Sequence, residues 1–325
     1  MKKAHRLLAS IFILSALLAS LGCGSGDRLS TQEEKPVIKV IVKKVNYDFW
    51  EVVKMGTEAA GKEFGVTVDY EGPTDENDID GQISMVDAAI REKVDALVLA
   101  AGDYVRLVDV TEKAVSEGIP VIIIDSGLNS DRISGFVGTD NVEAGKKLGE
   151  TLIGKVGDNC DIAVMSFVKG TATSVQREEG LAEAIKAKPG IKLLSTEYCN
   201  SDENTAQELT EELVRKYPGL DVIVCLNAYG TTGTARAINK LNLAGKVKVI
   251  GFDSTPEEIS LMEKDVIQSL VIQNPFSMGY QGVKYALDAI RGQIIPRVVN
   301  TDSTVIDKEN MYLPENQKLV FPFTN

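Results

Sequence analysis

Histidine is almost missing from this sequence: of 325 residues only His5 is one, and it stands close to the N-terminus. Without imidazole beyond residue 5, the chain can build neither a Ser-His-Asp nor a Cys-His catalytic arrangement, and it lacks the commonest metal ligand. Cysteine is scarce as well. Cys23, Cys160, Cys199 and Cys225 show no C-x-x-C spacing, so no metal site and no disulfide scaffold is expected. Cations are outnumbered, 35 Lys and Arg against 47 Asp and Glu, a net charge of −12. That balance argues against a nucleic-acid partner, whose affinity comes from neutralising phosphates with Lys and Arg. Aromatic residues make up 6% of the chain, and tryptophan occurs once, at position 50. No apolar run reaches the roughly 20 residues that a spanning helix needs. What is present, 44% hydrophobic and 25% charged residues, is the composition of an ordinary globular protein, with length for about two domains.

Residues 1–22 read as a sorting signal. Lys2–Arg6 is basic, and Leu7–Leu21 is apolar apart from Ser10, Ser15 and Ser20, the core of a signal peptide. The run stops at Gly22-Cys23. That ending resembles a bacterial lipoprotein signal, in which the cysteine becomes the lipidated first residue, although Ser20 stands where leucine is usual. Plain secretion, with Cys23 incidental, is the alternative. Losing this segment removes Lys2, Lys3 and Arg6 and takes the net charge to −15. Residues 23–36 are rich in Gly, Ser and charge, as a flexible tether would be. The remaining Cys160, Cys199 and Cys225 are expected as free, mostly buried thiols. Cys160 begins one strand and Cys199 ends its parallel neighbour, too far apart for a bridge.

From Pro36 onward short β-branched runs alternate with segments of helical period. The runs are Val37–Val42, Val66–Tyr70, Ala96–Ala100, Val121–Asp125, Ile162–Phe167, Lys192–Tyr198, Val222–Leu226, Val247–Phe252 and Ile267–Ile272. Runs apolar throughout, joined by helices, predict parallel sheets covered on both faces: a doubly wound α/β fold. A weak internal repeat predicts two lobes of one kind. Asp95-Ala-Leu-Val-Leu-Ala leads to Asp125-Ser126 30 residues on, and Asp221-Val-Ile-Val-Cys-Leu leads to Asp253-Ser254 32 residues on.

In such sheets ligands sit outside the carboxyl ends of the strands, so the groups that stand there matter most. They are Asn46-Tyr47-Asp48-Phe49-Trp50, Asp125-Ser126-Gly127, Arg177 within Gly170–Gly180, Asn227-Ala-Tyr229-Gly230, Asp253-Ser254, and Gln273-Asn274-Pro275-Phe276. Alone, each has a plain structural explanation. Asp125, Asp253 and Asn227 suit strand ends or helix caps, Phe49 and Trp50 suit a core, and Arg177 suits a surface pair with Glu178 or Glu183. Together they fall on one edge of their sheets. Adjacent aromatics, two carboxylates, a guanidinium and amides fit a neutral, hydroxyl-rich ligand, and nothing in the set requires chemistry.

On these residues the chain resembles the type I periplasmic binding proteins, and within them the ribose-binding group. The resemblance runs from about Val37 to the C-terminus. It is carried by Asp48-Phe49-Trp50, Gly118-Ile-Pro-Val-Ile-Ile-Ile-Asp125, Val137-Gly-Thr-Asp140-Asn141, Gly145 and Arg177-Glu-Glu-Gly180. Asn227 with Gly230-Thr-Thr-Gly233, Val249-Ile-Gly-Phe-Asp253-Ser-Thr-Pro256 and Ile272-Gln273-Asn-Pro275 complete it. The likeness implies that Phe49 and Trp50 clamp a sugar ring, while Asp125, Arg177, Asn227, Asp253 and Gln273 bind its hydroxyls. It implies an N-terminal lobe of residues 37–139 and 274–303 and a C-terminal lobe of 140–273 and 304–325, closing about a hinge. It implies a lipid-anchored, extracytoplasmic, monomeric protein that uses no cofactor and hands its ligand to an ABC transporter permease.

Three departures shift the ligand expected. Ser126 stands where ribose binders carry arginine, Asn200 and Ser201 replace the second lobe's usual aromatic, and Asp48 replaces a common proline. One fork of donors and one ring face are gone, so the expectation is a monosaccharide or related polyol, not ribose in particular. Presentation of the sugar to a membrane receptor or histidine kinase is the rival reading, and a sugar-modifying enzyme a more distant one. The latter would need Asp125 and Asp253 poised as an acid and base about 5–9 Å apart. A repressor would need a DNA-binding headpiece where this chain has a signal and tether. Glu76-Asn-Asp78-Ile-Asp80-Gly81 with Asp87 mimics a calcium loop with its first and last acids swapped. Ile79, Ile83, Val86 and Ile90 run through it at helical spacing, so its acids are read as a helix start. Gly230-Thr-Thr-Gly233 lacks the lysine and third glycine of a phosphate loop, and the first strand carries no G-x-G-x-x-G.

Overall fold

The computed structural model describes residues 35–323. The expected signal 1–22, Cys23 and the tether as far as residue 34 lie outside the described residues. All nine β-branched runs are strands, with ends within three residues of those read from the sequence. They are β1 (Val37–Ile41), β2 (Thr67–Glu71), β3 (Ala96–Leu99), β4 (Val121–Ile124), β6 (Asn159–Ser166), β7 (Gly190–Tyr198), β8 (Val222–Cys225), β9 (Lys248–Phe252) and β10 (Ser269–Ile272). Three short strands carry no such run: β5 (Gly135–Gly138), β11 (Val298–Asn300) and β12 (Thr304–Ile306). Between the strands lie α1 (Asp48–Phe64), α2 (Ile79–Glu92), α3 (Val108–Ser116), α4 (Asn141–Val156) and α5 (Ala172–Ile185). Then come α6 (Glu203–Lys216), α7 (Ala228–Lys240), α8 (Pro256–Glu263), α9 (Pro275–Ile290) and α10 (Gln317–Val320).

The strands form two six-stranded sheets, ordered β11-β5-β4-β3-β1-β2 and β12-β10-β9-β8-β6-β7. Apart from β11 and β12, adding five to a strand number in the first order gives the second. The repeat seen around Asp95 and Asp221 is therefore a repeat of topology. The fold is α/β and parallel but for one pair, β10 with β12. Only residues 301–303 separate β11, in the first sheet, from β12, in the second. The chain leaves the first sheet and runs directly into the second, which reverses its sense there.

Successive strand residues point to opposite faces, so runs apolar at every position need cover on both sides. In the first sheet Ile38, Val40, Val98, Ile122 and Ile124 pack under Trp50, Val53, Ala60 and Val283. Ile41, Leu97, Leu99, Val121 and Ile123 pack on the other face, under Val86, Ala89, Leu107 and Ala114. The second sheet is covered by one continuous core that includes Leu148, Ile162, Val224, Ile250 and Phe252. Helix α9 follows the second sheet in sequence yet packs on the first, against α1, β3 and β4. Two glycines allow it: a Cβ at Gly56 would strike the Phe276 carbonyl, and one at Gly279 the Val53 carbonyl. Cys160, Cys199 and Cys225 are free and buried, as expected. Among the described residues no helix is long and apolar enough to cross a membrane.

Candidate functional site

The repeated Asp-Ser pairs mark equivalent positions in the two sheets. Asp125 follows β4 and Asp253 follows β9, and both take left-handed backbone, with φ of 59° and 73°. Each donates its own N–H to the neighbouring strand, Asp125 to Val137 O at 3.0 Å and Asp253 to Val271 O at 2.9 Å. Aspartate tolerates this conformation better than most residues. It turns both side chains off the sheets and into the space between them.

That space is a cavity enclosing about 390 Å3, open solvent at its mouth included. Its floor is a hydrogen-bonded lattice around Arg177, which is 3% exposed on α5. The guanidinium donates from Nε to Asn141 Oδ1 at 2.9 Å, from Nη1 to Leu226 O at 2.7 Å and from Nη2 to Gln273 Oε1 at 3.0 Å. Its carbon lies 3.7 Å from the centroid of the Phe252 ring. Gln273 Oε1 also accepts from Thr139, and its Nε2 donates to Asp253 Oδ1 at 2.7 Å. The other Asp253 oxygen accepts from the Ala228 N–H. Burial pushes the Asp253 carboxyl up, against the opposing pull of Arg177 and Gln273. Burial likewise lowers Arg177, against the pull of Asp253 and Asp125. On the first sheet's side Asp125 is paired with Lys43 at 2.7 Å, both almost wholly buried.

Three aromatic elements close the walls. Phe49 and Trp50, in the first turn of α1, meet edge to face with centroids 4.9 Å apart at 86°. Tyr47, just before that turn, stacks on Tyr229 of α7 at 3.8 Å and 17°, joining the two halves across the cleft. Lys44 lies over both tyrosine rings, 5.8 Å and 4.7 Å from their centroids. The geometry is that of a closed cleft between two α/β halves. A family model described as periplasmic binding protein domain matches residues 38–294. The chain belongs to that family.

Among relatives of this periplasmic binding protein is the D-allose-binding periplasmic protein of Escherichia coli K12. It is 29% identical over 266 residues, 79% of this chain and 86% of that protein. A solute-binding protein of an ABC transporter from Agrobacterium vitis, solved with bound D-fucose, superposes with a TM-score of 0.85. It is 34% identical and covers 88% of this chain and all of its own. A carbohydrate transporter solute-binding protein from Agrobacterium radiobacter, solved in complex with D-arabinose, gives a TM-score of 0.86 at 29% identity. That match covers 89% of this chain and 99% of the other.

All seven residues singled out from the sequence, Phe49, Trp50, Asp125, Arg177, Asn227, Asp253 and Gln273, line the one cavity of this periplasmic binding protein. One plain explanation needs correcting, and another holds without excluding the cavity. Arg177 is not a surface residue paired with Glu178 or Glu183: it is buried, while Glu178 accepts from Ser166 and Tyr198, and Glu183 pairs with Lys146. Asn227 is a helix cap and a cavity residue at once. Its Oδ1 accepts from the Gly230 N–H, and its Nδ2 lies 3.4 Å from Ser201 Oγ. The acids near residue 76 also divide. Asp78 caps α2 through the Gly81 N–H, but Glu76 belongs to the cavity and not to the helix start. Tyr47, Ala228 and Tyr229, which belong to the strand-end segments but not to the seven, line the cavity too, as do Lys43, Phe167 and Thr173. Lys43 follows β1 by two residues, so the same strand-end rule reaches it. Tyr229, in the first turn of α7, is the second half's tyrosine at the cavity, where Asn200 and Ser201 supply no ring.

Proposed function

We propose that this protein captures a monosaccharide or related polyol in the cleft, outside the cytoplasm, and delivers it to an ABC importer. The observation that carries the reading is the unspent hydrogen-bonding capacity of the lining. Arg177 uses three of its five N–H donors on the protein, Asp125 has one oxygen beyond its contact with Lys43, and Asn227 keeps an amide hydrogen. Phe49 and Trp50 stand beside them with apolar surface for C–H groups. The ligand names of the relatives, D-allose, D-fucose and D-arabinose, point the same way. Both aspartates are held by protein partners, which favours binding over acid–base chemistry. Residues 37–139 with 274–303 form one lobe, and 140–273 with 304–325 the other. Ligand bridges them and shifts the population towards the closed form.

The test is a thermal-shift panel of pentoses, hexoses and polyols on the purified domain. At a hundredfold excess over Kd the ligand adds about 2.7 kcal/mol, roughly 5 °C or more in Tm. A panel without effect, beside a shift from an amino acid or nucleoside, would sink the sugar reading. Lipid anchoring at Cys23 is the finer proposal, supported by the basic and apolar signal that precedes it. Cys23→Ser should release a folded protein from the membrane fraction. Retention of that variant would mean that something other than a lipid on Cys23 holds it.

A further inference from the structure

Five charged side chains line the cavity: Lys43, Glu76, Asp125, Arg177 and Asp253. Four are held by the protein itself. Lys43 and Asp125 pair with each other, Arg177 is hydrogen-bonded at three nitrogens, and Asp253 accepts from Gln273 and the Ala228 N–H. Glu76 is different. It is 7% exposed, and among the described residues no hydrogen bond or salt bridge holds its carboxylate. Its charge acts on the protein's cations only through the field it shares with Asp253 and Asp125 at Arg177. Its neighbours are all engaged. Asp75 accepts from the backbone and side chain of Asn77, Asp78 caps α2, and the Asn77 amide reaches across the cleft to Asn200 O at 3.3 Å. The loop is thus anchored on both sides, and it holds Glu76 in the cavity wall. Lys44 sits over the Tyr47 and Tyr229 rings and does not line the cavity.

A carboxylate that lines a cavity and takes no hydrogen bond from the protein is open to donors that enter the cavity. With three carboxylates against two cations, the lining also carries an excess negative charge. We propose that Glu76 is a specificity-determining residue of the sugar site: its carboxylate accepts hydrogen bonds from donor groups of the bound ligand, and its charge bars sugar acids from the cleft. This rests on the sugar-binding reading above. It adds that the ligand is neutral or basic and carries a donor at the Glu76 corner.

Calorimetric titration of the wild type, Glu76→Gln and Glu76→Ala tests this. The probes are the neutral sugar that stabilises the wild type most and its matching sugar acid, such as D-galactose with D-galacturonate. Losing an ionic hydrogen bond should weaken the neutral sugar about tenfold in Glu76→Gln, and further in Glu76→Ala. The preference for neutral sugar over acid should shrink by a similar factor in Glu76→Gln. Without ligand, Glu76→Gln should melt close to the wild-type temperature, since no hydrogen bond or salt bridge of the protein holds that carboxylate. Neutral-sugar affinity within twofold of wild type, with the preference intact, overturns the proposal. So does a lower melting temperature without ligand, which would make Glu76 a structural residue. A wild type that binds no sugar at all removes the sugar reading itself, whereas sugar binding indifferent to Glu76 removes only the present assignment.

Discussion

Arg177→Met should cost about 3–5 kcal/mol of stability and abolish measurable sugar binding. The magnitude is what removing one member of a buried charge network produces, because the partners keep their desolvation cost and lose their compensation. Here the stranded groups are specific. Asn141 Oδ1 and Leu226 O lose their guanidinium donors, Gln273 Oε1 keeps only Thr139, and the buried Asp253 carboxylate loses its neighbouring cation. Arg177→Lys should recover little. A lysine restores the charge, but a single ammonium cannot serve three acceptors arranged as a planar fork or lie flat at 3.7 Å on Phe252. Urea denaturation of both variants beside wild type measures the stability loss. A methionine variant within about 1 kcal/mol of wild type would show that Arg177 does not organise the floor.

Much of this molecule is legible before folding is considered, and the limits have physical causes. Strands such as Val121–Ile124 announce themselves because both faces are buried, so every position is apolar. The edge strands β11 and β12 have three residues each, exposed or half-buried at every position but Ile306, so they leave no apolar run. Asp125 and Asp253 were found because a strand's carboxyl end is where side chains leave the sheet, a rule that needs no tertiary structure. The pairing of Tyr47 with Tyr229 is different in kind. It joins residues of opposite halves, and no local pattern says which ring meets which. Arg177 shows the same limit. On its helix it reads as one more charged position, and only the packing of α5 against α4, close at Gly145 and Gly180, turns it inward. Glu76 was read with its acidic neighbours because a run of acids ahead of a helix suits the dipole. Asp78 at the cap and Asp80 in the first turn meet the helix start, which leaves Glu76 for the cavity.

Trp50→Ala should lower both affinity and stability, and the two losses have separate origins. The ring is 4% exposed and belongs to the core over the first sheet with Val40, Val42 and Val53. The same side chain lines the cavity edge to face with Phe49, and its carbonyl accepts from the Tyr70 hydroxyl at 2.7 Å. Truncation therefore opens a hole in the core, about 3–5 kcal/mol of stability for a buried aromatic. It also removes a face of the clamp, about 2 kcal/mol or more of binding, roughly thirtyfold in Kd. Trp50→Phe separates the two. Phenylalanine refills most of the core volume, so stability should largely return, while the shorter ring still leaves part of the ligand uncovered and affinity recovers only in part. Emission gives an independent reading, because the sequence has no other indole. Saturation with sugar should change its wavelength or intensity as water leaves the ring. Silent emission, together with wild-type affinity in Trp50→Ala, would confine Trp50 to the core and leave Phe49 as the clamp's only α1 aromatic.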